Sequence, residues 1–267
     1  MSEPFEIKIN ALTPIWTGDA DRKNSRLRET GIIGSLRWWY EAVVRGLGGY
    51  ACDPTDTKCE FNYKAYQKTG NVKDGFVWKD KPEKNVCDAC KLFGCTGWAR
   101  KFRIEAKEGR DNNITLRFIE IKSMNNVELG LLKATLQIIS KYGSLGAKMA
   151  ESNGVVEINH NGLAKYNVSK DQVKKNLKNI NNSYSNPNLK RFIFDIKYKK
   201  KELKDKFEFL KGDKGKGKKY FYKKYSDKCR FFLYAENSDE YSQIVDFFNQ
   251  ENVNFVSGEE VLDEVIK

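Results

Sequence analysis

Residues 31–49 read GIIGSLRWWYEAVVRGLGG, and this stretch decides how the first half of the chain is interpreted. Its apolar residues recur at the spacing of one face of an α-helix. Gly48 and Gly49 follow, and glycine commonly stands where a helix ends. The stretch therefore predicts an amphipathic helix with an apolar stripe made of Ile32, Ile33, Leu36, Trp39, Tyr40, Val43, Val44 and Leu47.

Strand patterns lie on both sides of this helix. Residues 5–12 alternate between apolar and polar side chains, which is typical of a half-buried strand. Residues 101–122 read as two strands joined by a loop, 127–143 as a second amphipathic helix and 154–159 as a further strand. The order β, α, β, β, α, β is that of the split βαβ, or ferredoxin-like, arrangement.

The C-terminal part of the chain has weaker patterns. Three predicted strands are RFIFDIKYKK, KKYFYKKY and CRFFLYAE, with Cys229 as a core residue of the last. A helix capped by Ser238 and one more strand follow, over residues 238–257. The last two of these three strands, the helix and the final strand give the order β, β, α, β, which predicts a second, reduced ferredoxin-like lobe. We therefore expect an α+β chain of tandem ferredoxin-like (RRM-like) lobes, residues 1–165 with an insertion at about 50–98, and residues 166–267.

The insertion carries the strongest local motif, a cysteine cluster. Cys87 and Cys90 form a Cys-x2-Cys pair, which places two thiolates on one metal ion, and a tetrahedral zinc requires two more ligands. Cys52 and Cys59 are the predicted remaining ligands, with Cys95 as the alternative. Four thiolates leave no open coordination position, so the sequence predicts a structural Zn²⁺ in a zinc knuckle. A redox pair or plain buried thiols remain open.

Charge and targeting signals indicate the partners and the compartment. The chain of 267 residues has a net charge of +12, which favours a nucleic-acid partner. Residues 190–230 alone contain 17 Lys and Arg against 6 Asp and Glu, which predicts either a phosphate-binding patch or a solvated face. No secretory signal and no apolar run of about 18 residues is present, so we expect a cytoplasmic protein without a membrane partner.

Candidate RNA contacts come from four parts of the chain. One lies before the first helix, where helix N-termini favour phosphates. On that helix, Arg37 beside Trp38 has the chemistry to hold a phosphate and stack a base, although Trp38 packing under the insertion and Arg37 pairing with Glu41 is the alternative. Glycine-punctuated loops at 142–154 and 211–219 complete the set. The predicted RNA-binding residues are Arg22, Lys23, Arg26, Arg28, Arg37, Trp38, Arg45, Lys148, Lys214, Lys216, Lys218 and Lys219.

The residues for catalysis are scarce. His160 is the only histidine, so a ribonuclease that uses two histidines as acid and base is excluded. The sequence contains no phosphate-binding Walker loop and no nucleophile elbow. We therefore expect a protein that is not an enzyme.

Three stretches resemble a known family: TPIWTG at 13–18, LRETGIIGSLRWWY at 27–40 and CKLFGCTG at 90–97. They resemble the RAMP superfamily of CRISPR-associated proteins, and the pattern is closest to the first-numbered Cmr subunit of type III-B effector complexes. The resemblance covers residues 13–154. Many members carry Gly-Ala-Lys-Thr followed by Gly-Tyr-Gly, whereas Lys148 is followed here by Met149.

The resemblance implies a non-catalytic RNA-binding subunit of a ribonucleoprotein complex. Such a subunit caps the backbone near the 3′ part of the guide CRISPR RNA and helps to engage target RNA, beside the other effector subunits. It makes Arg28, Arg37 and Trp38 the first candidates for contact with RNA or a neighbour. Two alternatives remain open: a guide-RNA-processing endoribonuclease of the same superfamily and a scaffold subunit that binds only protein.

Overall fold

The computed structural model describes residues 3–18, 21, 23–53, 58–71, 75–77, 86–147, 153–177, 187–212 and 217–266. The elements before residue 187 are β1 (Phe5–Ala11), α1 (Glu29–Gly46), β2 (Glu60–Phe61), α2 (Tyr63–Thr69), β3 (Phe76–Val77), α3 (Asp88–Phe93), β4 (Phe102–Glu108), β5 (Asn113–Glu120), α4 (Asn126–Lys141), β6 (Val156–Asn159) and α5 (Lys170–Asn176). Those after it are β7 (Phe192–Phe194), α6 (Lys200–Lys206), β8 (Tyr220–Tyr225), β9 (Lys228–Tyr234), α7 (Ser238–Gln250), β10 (Val256–Ser257) and α8 (Gly258–Val265).

The first sheet has four antiparallel strands in the order β4-β5-β1-β6. Its inner face comes from the alternating apolar residues of the sequence: Ile7 is paired with Leu116, and Ile9 with Ile158. Helices α1 and α4 cover that face, and α4 begins with a capping box between Asn125 and Glu128. The predicted ferredoxin-like arrangement of the first lobe is confirmed.

The second sheet has the same topology, with the strand order β10-β7-β9-β8. The lobe contains all six ferredoxin-like elements, β7-α6-β8-β9-α7-β10, whereas the sequence predicted a reduced lobe. The unexpected element is α6, whose sequence KKELKDK buries only Leu203 and so shows almost no helical periodicity. Asn237, rather than Ser238, caps α7 by accepting a hydrogen bond from Glu240 N.

The two lobes share one stack of four layers. One face of the second sheet buries Ile193, Phe231 and Leu233 against α6 and α7. The opposite face packs on the helices of the first lobe, where Trp39 lies 5.3 Å from Phe232 between ring centroids. The order is therefore sheet, helices, sheet, helices, so α1 and α4 are enclosed between two sheets.

The C-terminal helix returns to the first lobe. Tyr142, directly after α4, donates a 2.6 Å hydrogen bond to Glu264 of α8, and Lys141 forms a 2.8 Å ion pair with the same carboxylate. Leu262 packs close to Gly46 at the end of α1. Helix α8 thus links the second lobe to helices α1 and α4 of the first lobe.

Two further points concern the surface. Cys229 is exposed, not a core residue as the sequence predicted, because it lies near the end of the β8–β9 hairpin. Within the residues that the structure describes, no helix is both long and apolar enough to cross a membrane.

Candidate metal centre and nucleic-acid interface

The insertion brings four cysteines together. The sulfur atoms of Cys52, Cys59, Cys87 and Cys90 all lie within 4.8 Å of one another, and all four residues are buried. A tetrahedral zinc with Zn–S bonds of about 2.3 Å requires sulfur separations of about 3.8 Å. The Cys52 and Cys90 sulfurs are 3.5 Å apart, near that separation, and the remaining sulfur pairs lie within 4.8 Å. The predicted grouping of these four cysteines is confirmed.

Local structure explains how the cysteines are presented. Cys87 is the N-cap of α3, and its sulfur accepts a 3.3 Å hydrogen bond from Cys90 N, so both thiols project from one helical turn. The Cys59 sulfur accepts a 3.4 Å hydrogen bond from Cys87 N. Burial raises the pKa of the Cys87 thiol. A divalent cation is the usual means of stabilising thiolates in such a place.

Cys95 lies beside the cluster rather than in it. It is half-buried, and its thiol is hydrogen-bonded to Cys90. The group of mutually close ligand atoms contains the other four cysteines without it. The arrangement favours the four predicted ligands over the alternative with Cys95.

Arg37 of α1 contacts the cysteine cluster directly. Its guanidinium donates to the Cys90 sulfur at 3.1 Å, to Gly94 O at 2.8 Å and to the Glu41 carboxylate at 2.7 Å. Burial opposes its charge, but Cys90 and Glu41 raise the pKa of Arg37 above its ordinary value. Four thiolates around a divalent cation would carry an excess of negative charge, and Arg37 lies where it would balance part of that charge.

Arg45, one of the predicted RNA contacts, is buried. Its guanidinium donates to Ala51 O at 3.1 Å, to Cys52 O at 2.8 Å and to Pro187 O at 3.0 Å. Burial lowers the pKa of Arg45. The side chain thus fixes the backbone at the first cysteine, and its structural role lies inside the protein.

Trp38 packs between the lobes. Its ring lies 5.8 Å from Phe192 and 5.8 Å from Tyr234, both in edge-on geometry, and 4.9 Å from Trp39. The sequence-based alternative placed Trp38 under the insertion, whereas the second sheet covers it. The other part of that alternative, an ion pair between Arg37 and Glu41, is present in the structure.

The loop before α1 presents basic residues at the surface. Lys23 and Arg26 are exposed, and Arg28 is half-buried at the start of α1. The Asn24 side chain braces the loop, accepting from Thr17 N at 2.9 Å and donating to Ile15 O at 3.1 Å. A cleft of about 360 Å³ opens between this loop and the β4–β5 hairpin, with Arg26 and Glu108 among its lining residues.

The glycines after α4 serve contacts within the protein. Gly146 has a φ of +102°, and a side chain there would approach Trp16 O to 2.7 Å. Gly154 has a φ of +80°, and a side chain would collide with Leu145 O. Both glycines permit close approach of protein backbone, so no RNA strand is needed to explain them.

The remaining predicted RNA contacts lie in different settings. Lys218 is exposed, while Lys219 is buried and forms an ion pair of 3.1 Å with Glu236. Arg22, Lys148, Lys214 and Lys216 lie outside the described residues.

The sequence analysis did not predict that Arg37 contacts the cysteine cluster. The signal in the sequence was Glu41, one turn along α1, because an ion pair at that spacing indicates an arginine side chain held by the protein.

Two complete ferredoxin-like lobes and a four-cysteine knuckle define the class of protein. A family model described as the RAMP superfamily matches residues 8–256, so the chain belongs to the RAMP superfamily. The fold is similar to that of a solved structure, the crystal structure of Cmr1 from Pyrococcus furiosus (apo form), at 11% sequence identity and a TM-score of 0.47, covering 97% of this chain and 100% of that chain. The comparison with curated proteins found no match.

Proposed function

We propose that this chain is a non-catalytic RNA-binding subunit of a type III-B CRISPR ribonucleoprotein effector complex. In this role it caps the backbone near the 3′ part of the guide RNA, helps to engage target RNA and docks on other subunits. A cytoplasmic location, where thiols stay reduced, belongs to the same proposal. The observation that carries it is membership of the RAMP superfamily across residues 8–256.

The arrangement of the motif segments supports an RNA contact at the first loop. Ala147 N donates to Trp16 O at 2.7 Å, and Gly146 N donates to the Ser35 hydroxyl at 2.9 Å. The first loop, the start of α1 and the glycine loop therefore meet at one edge of the first lobe. Exposed Lys23 and Arg26 lie in that first loop, where phosphates of an RNA backbone would find positive charge.

We further propose that the metal is a structural Zn²⁺ held by Cys52, Cys59, Cys87 and Cys90. Four buried thiolates suit zinc and leave no coordination position for a substrate. The ion would link Cys52 and Cys59 to the turn that carries Cys87 and Cys90. Its contribution is to stability and to the shape of the surface, and no chemical step requires it.

The proposal of a non-catalytic role is supported by the surroundings of the only histidine. One ring nitrogen of His160 is buried and has no hydrogen-bond partner in the described part of the chain. This nitrogen, Nδ1, therefore contacts no second acid or base among those residues. The alternative function is that of a guide-processing ribonuclease that uses lysine and tyrosine. Cleavage of repeat RNA by the isolated protein under single-turnover conditions would support that alternative and overturn our proposal.

The experiment that tests RNA binding is a salt titration with single-stranded RNA. Wild type is compared with Lys23→Ala/Arg26→Ala and with the control Lys174→Ala/Lys175→Ala, which removes the same charge from exposed positions of α5. Two lost phosphate contacts would reduce the slope of log K against log salt by about 1.4. The control is expected to keep the wild-type slope.

Two results would contradict this proposal. Equal losses in both variants would mean that general charge, not the first loop, attracts RNA. A wild-type chain that binds no RNA, yet captures effector subunits after nuclease digestion, would favour the scaffold that binds only protein.

A further inference from the structure

The Lys-rich segment 190–230 is not accounted for by the first-loop site. Its described residues form β7, helix α6, strand β8 and the start of β9, all in the second lobe. Helix α6 ends at Lys206 and β8 begins at Tyr220, and the fold brings the helix beside that strand. The distribution of lysines over that surface carries the inference.

Lysines from α6 lie over tyrosines of the edge strand β8. The Lys200 ammonium is 5.2 Å from the ring centroid of Tyr220 and 5.3 Å from that of Tyr222, and the Lys204 ammonium is 5.7 Å from Tyr220. Contact with the face of an aromatic ring is favourable for an ammonium group and restricts its movement. Tyr222 is itself held by Phe231, at 5.4 Å in edge-on geometry. Lys200 is thus fixed in position before any ligand arrives.

Two more lysines lie on the same side of the hairpin. Lys197 and Lys224 are close enough to the Cys229 sulfur to act on it electrostatically, and Tyr222 is the hydrogen-bond partner of that thiol. Lys224 is directly paired with Cys229 across the two strands. Asp195 is the acidic residue that acts on the same sulfur. Lys197, Lys224 and Asp195 thus lie near Cys229, and Lys200 and Lys204 continue the row of ammonium groups along β8 toward Tyr220.

These four lysines differ from Lys199 and Lys219 because no described carboxylate forms an ion pair with them. Lys199 pairs with Glu202 at 2.8 Å, and Lys219 is held by Glu236 at 3.1 Å. Within the described residues, no ion pair involves Lys197, Lys200, Lys204 or Lys224. Positive charge that is fixed in place and left uncompensated is what a phosphate backbone recognises through counterion release.

We infer that Lys197, Lys200, Lys204 and Lys224 form a second RNA-binding surface, hereafter the hairpin surface, which takes the phosphodiester backbone of a single strand. This inference rests on the proposed RNA-binding function and adds a site in the other lobe. Tyr222 is a positioning residue, because it holds Lys200 without being required to touch RNA. Preorganised cations lose little freedom on binding, so few contacts suffice.

Cys229 provides a direct reporter for this surface. It is the exposed cysteine of the chain. Partial desolvation raises the pKa of its thiol, and the neighbouring Lys197 and Lys224 act in the opposite direction. Maleimide labelling of the full chain, with and without single-stranded RNA, is measured peptide by peptide in a mass spectrometer. Bound RNA is expected to slow labelling at Cys229 at least about fivefold at RNA concentrations above Kd. Half-buried Cys95 in the insertion is the internal reference.

Affinity measurements with matched variants provide the second test. Lys200→Ala/Lys204→Ala is expected to weaken binding about 20-fold at 0.1 M salt and to reduce the salt slope by about 1.4. Alanine favours helix, so α6 is retained in this variant. Lys174→Ala/Lys175→Ala on α5 removes equal charge and is the control. Tyr222→Leu is expected to weaken binding and Tyr222→Phe to restore it.

Each outcome separates this inference from the proposed function. RNA binding without protection of Cys229, or equal losses in the α5 control, overturns the hairpin surface while the first-loop site stands. A chain that does not bind RNA overturns both. Equal protection of Cys229 by polyglutamate would assign the surface to an acidic protein partner and would also overturn the inference.

Discussion

The Arg230 guanidinium of β9 donates a 2.8 Å hydrogen bond to the carbonyl oxygen of Gly143, just beyond the end of α4. The same side chain donates to Ser140 O at 2.8 Å and to Ile139 O at 3.2 Å. The last carbonyls of a helix have no partner within the helix, and a cation there also complements the helix dipole. One arginine of the second lobe therefore completes the end of a helix in the first.

We expect Arg230→Ala to destabilise the whole chain. Burial already lowers the pKa of Arg230, and removing the side chain leaves several buried carbonyls without donors. The free energy of unfolding in urea should fall by about 3 kcal/mol. Lys228→Ala, an exposed position on the same strand, is the control and should change little. A loss below about 1 kcal/mol would contradict the capping role.

The four-cysteine cluster predicts a defined metal content. We expect about one zinc per chain, lost on Cys90→Ser and retained on Cys95→Ser, because Cys95 lies outside the group of mutually close sulfurs. Metal analysis of protein purified without added zinc measures both. Removing the ion with a chelator should lower the melting temperature of the wild type and not that of Cys90→Ser. Equal zinc loss in the two variants would make Cys95 a ligand.

Arg37 is expected to matter for the metal more than for RNA. Its 3.1 Å hydrogen bond to the Cys90 sulfur makes it an outer partner of a ligand, and loss of such a partner costs about 10-fold to 100-fold in metal affinity. Competition with a chromogenic chelator should therefore release zinc from Arg37→Ala at lower chelator concentrations. Arg103→Ala removes an exposed arginine of β4 and is the control. Unchanged zinc affinity together with weaker RNA binding would support the sequence-based prediction that Arg37 contacts RNA.

The sequence predicted the first sheet and the cluster of four cysteines because their signals are local. Alternation in β1 and the apolar stripe of α1 each lie within one element, and Cys87 and Cys90 lie within one turn. The four cysteines converge because they share a single insertion. Strand pairing then follows from the side-chain period of two, since a slip by one residue would expose the core face.

The sequence could not predict the second layer of contacts on α1. Arg37, Trp38 and Arg45 look like a solvent face because they are polar or amphipathic and lie opposite the stripe. Their partners come from distant segments: Gly94 and Cys90 for Arg37, and strands β7 and β9 for Trp38. A helix enclosed between two sheets is recognised only once the second lobe is in place.

Trp38 gives the sharpest distinction between packing and RNA stacking. Its ring is held by Phe192 and Tyr234 of the second sheet, so Trp38→Ala should lower the free energy of unfolding by about 3 kcal/mol. Trp38→Phe keeps an aromatic ring in the same space and should lose less than about 1.5 kcal/mol. Neither variant should change RNA affinity at temperatures where the protein stays folded. A stacking residue would behave in the opposite way: Trp38→Ala would weaken RNA binding by about 1–3 kcal/mol while the unfolding transition stayed near that of the wild type.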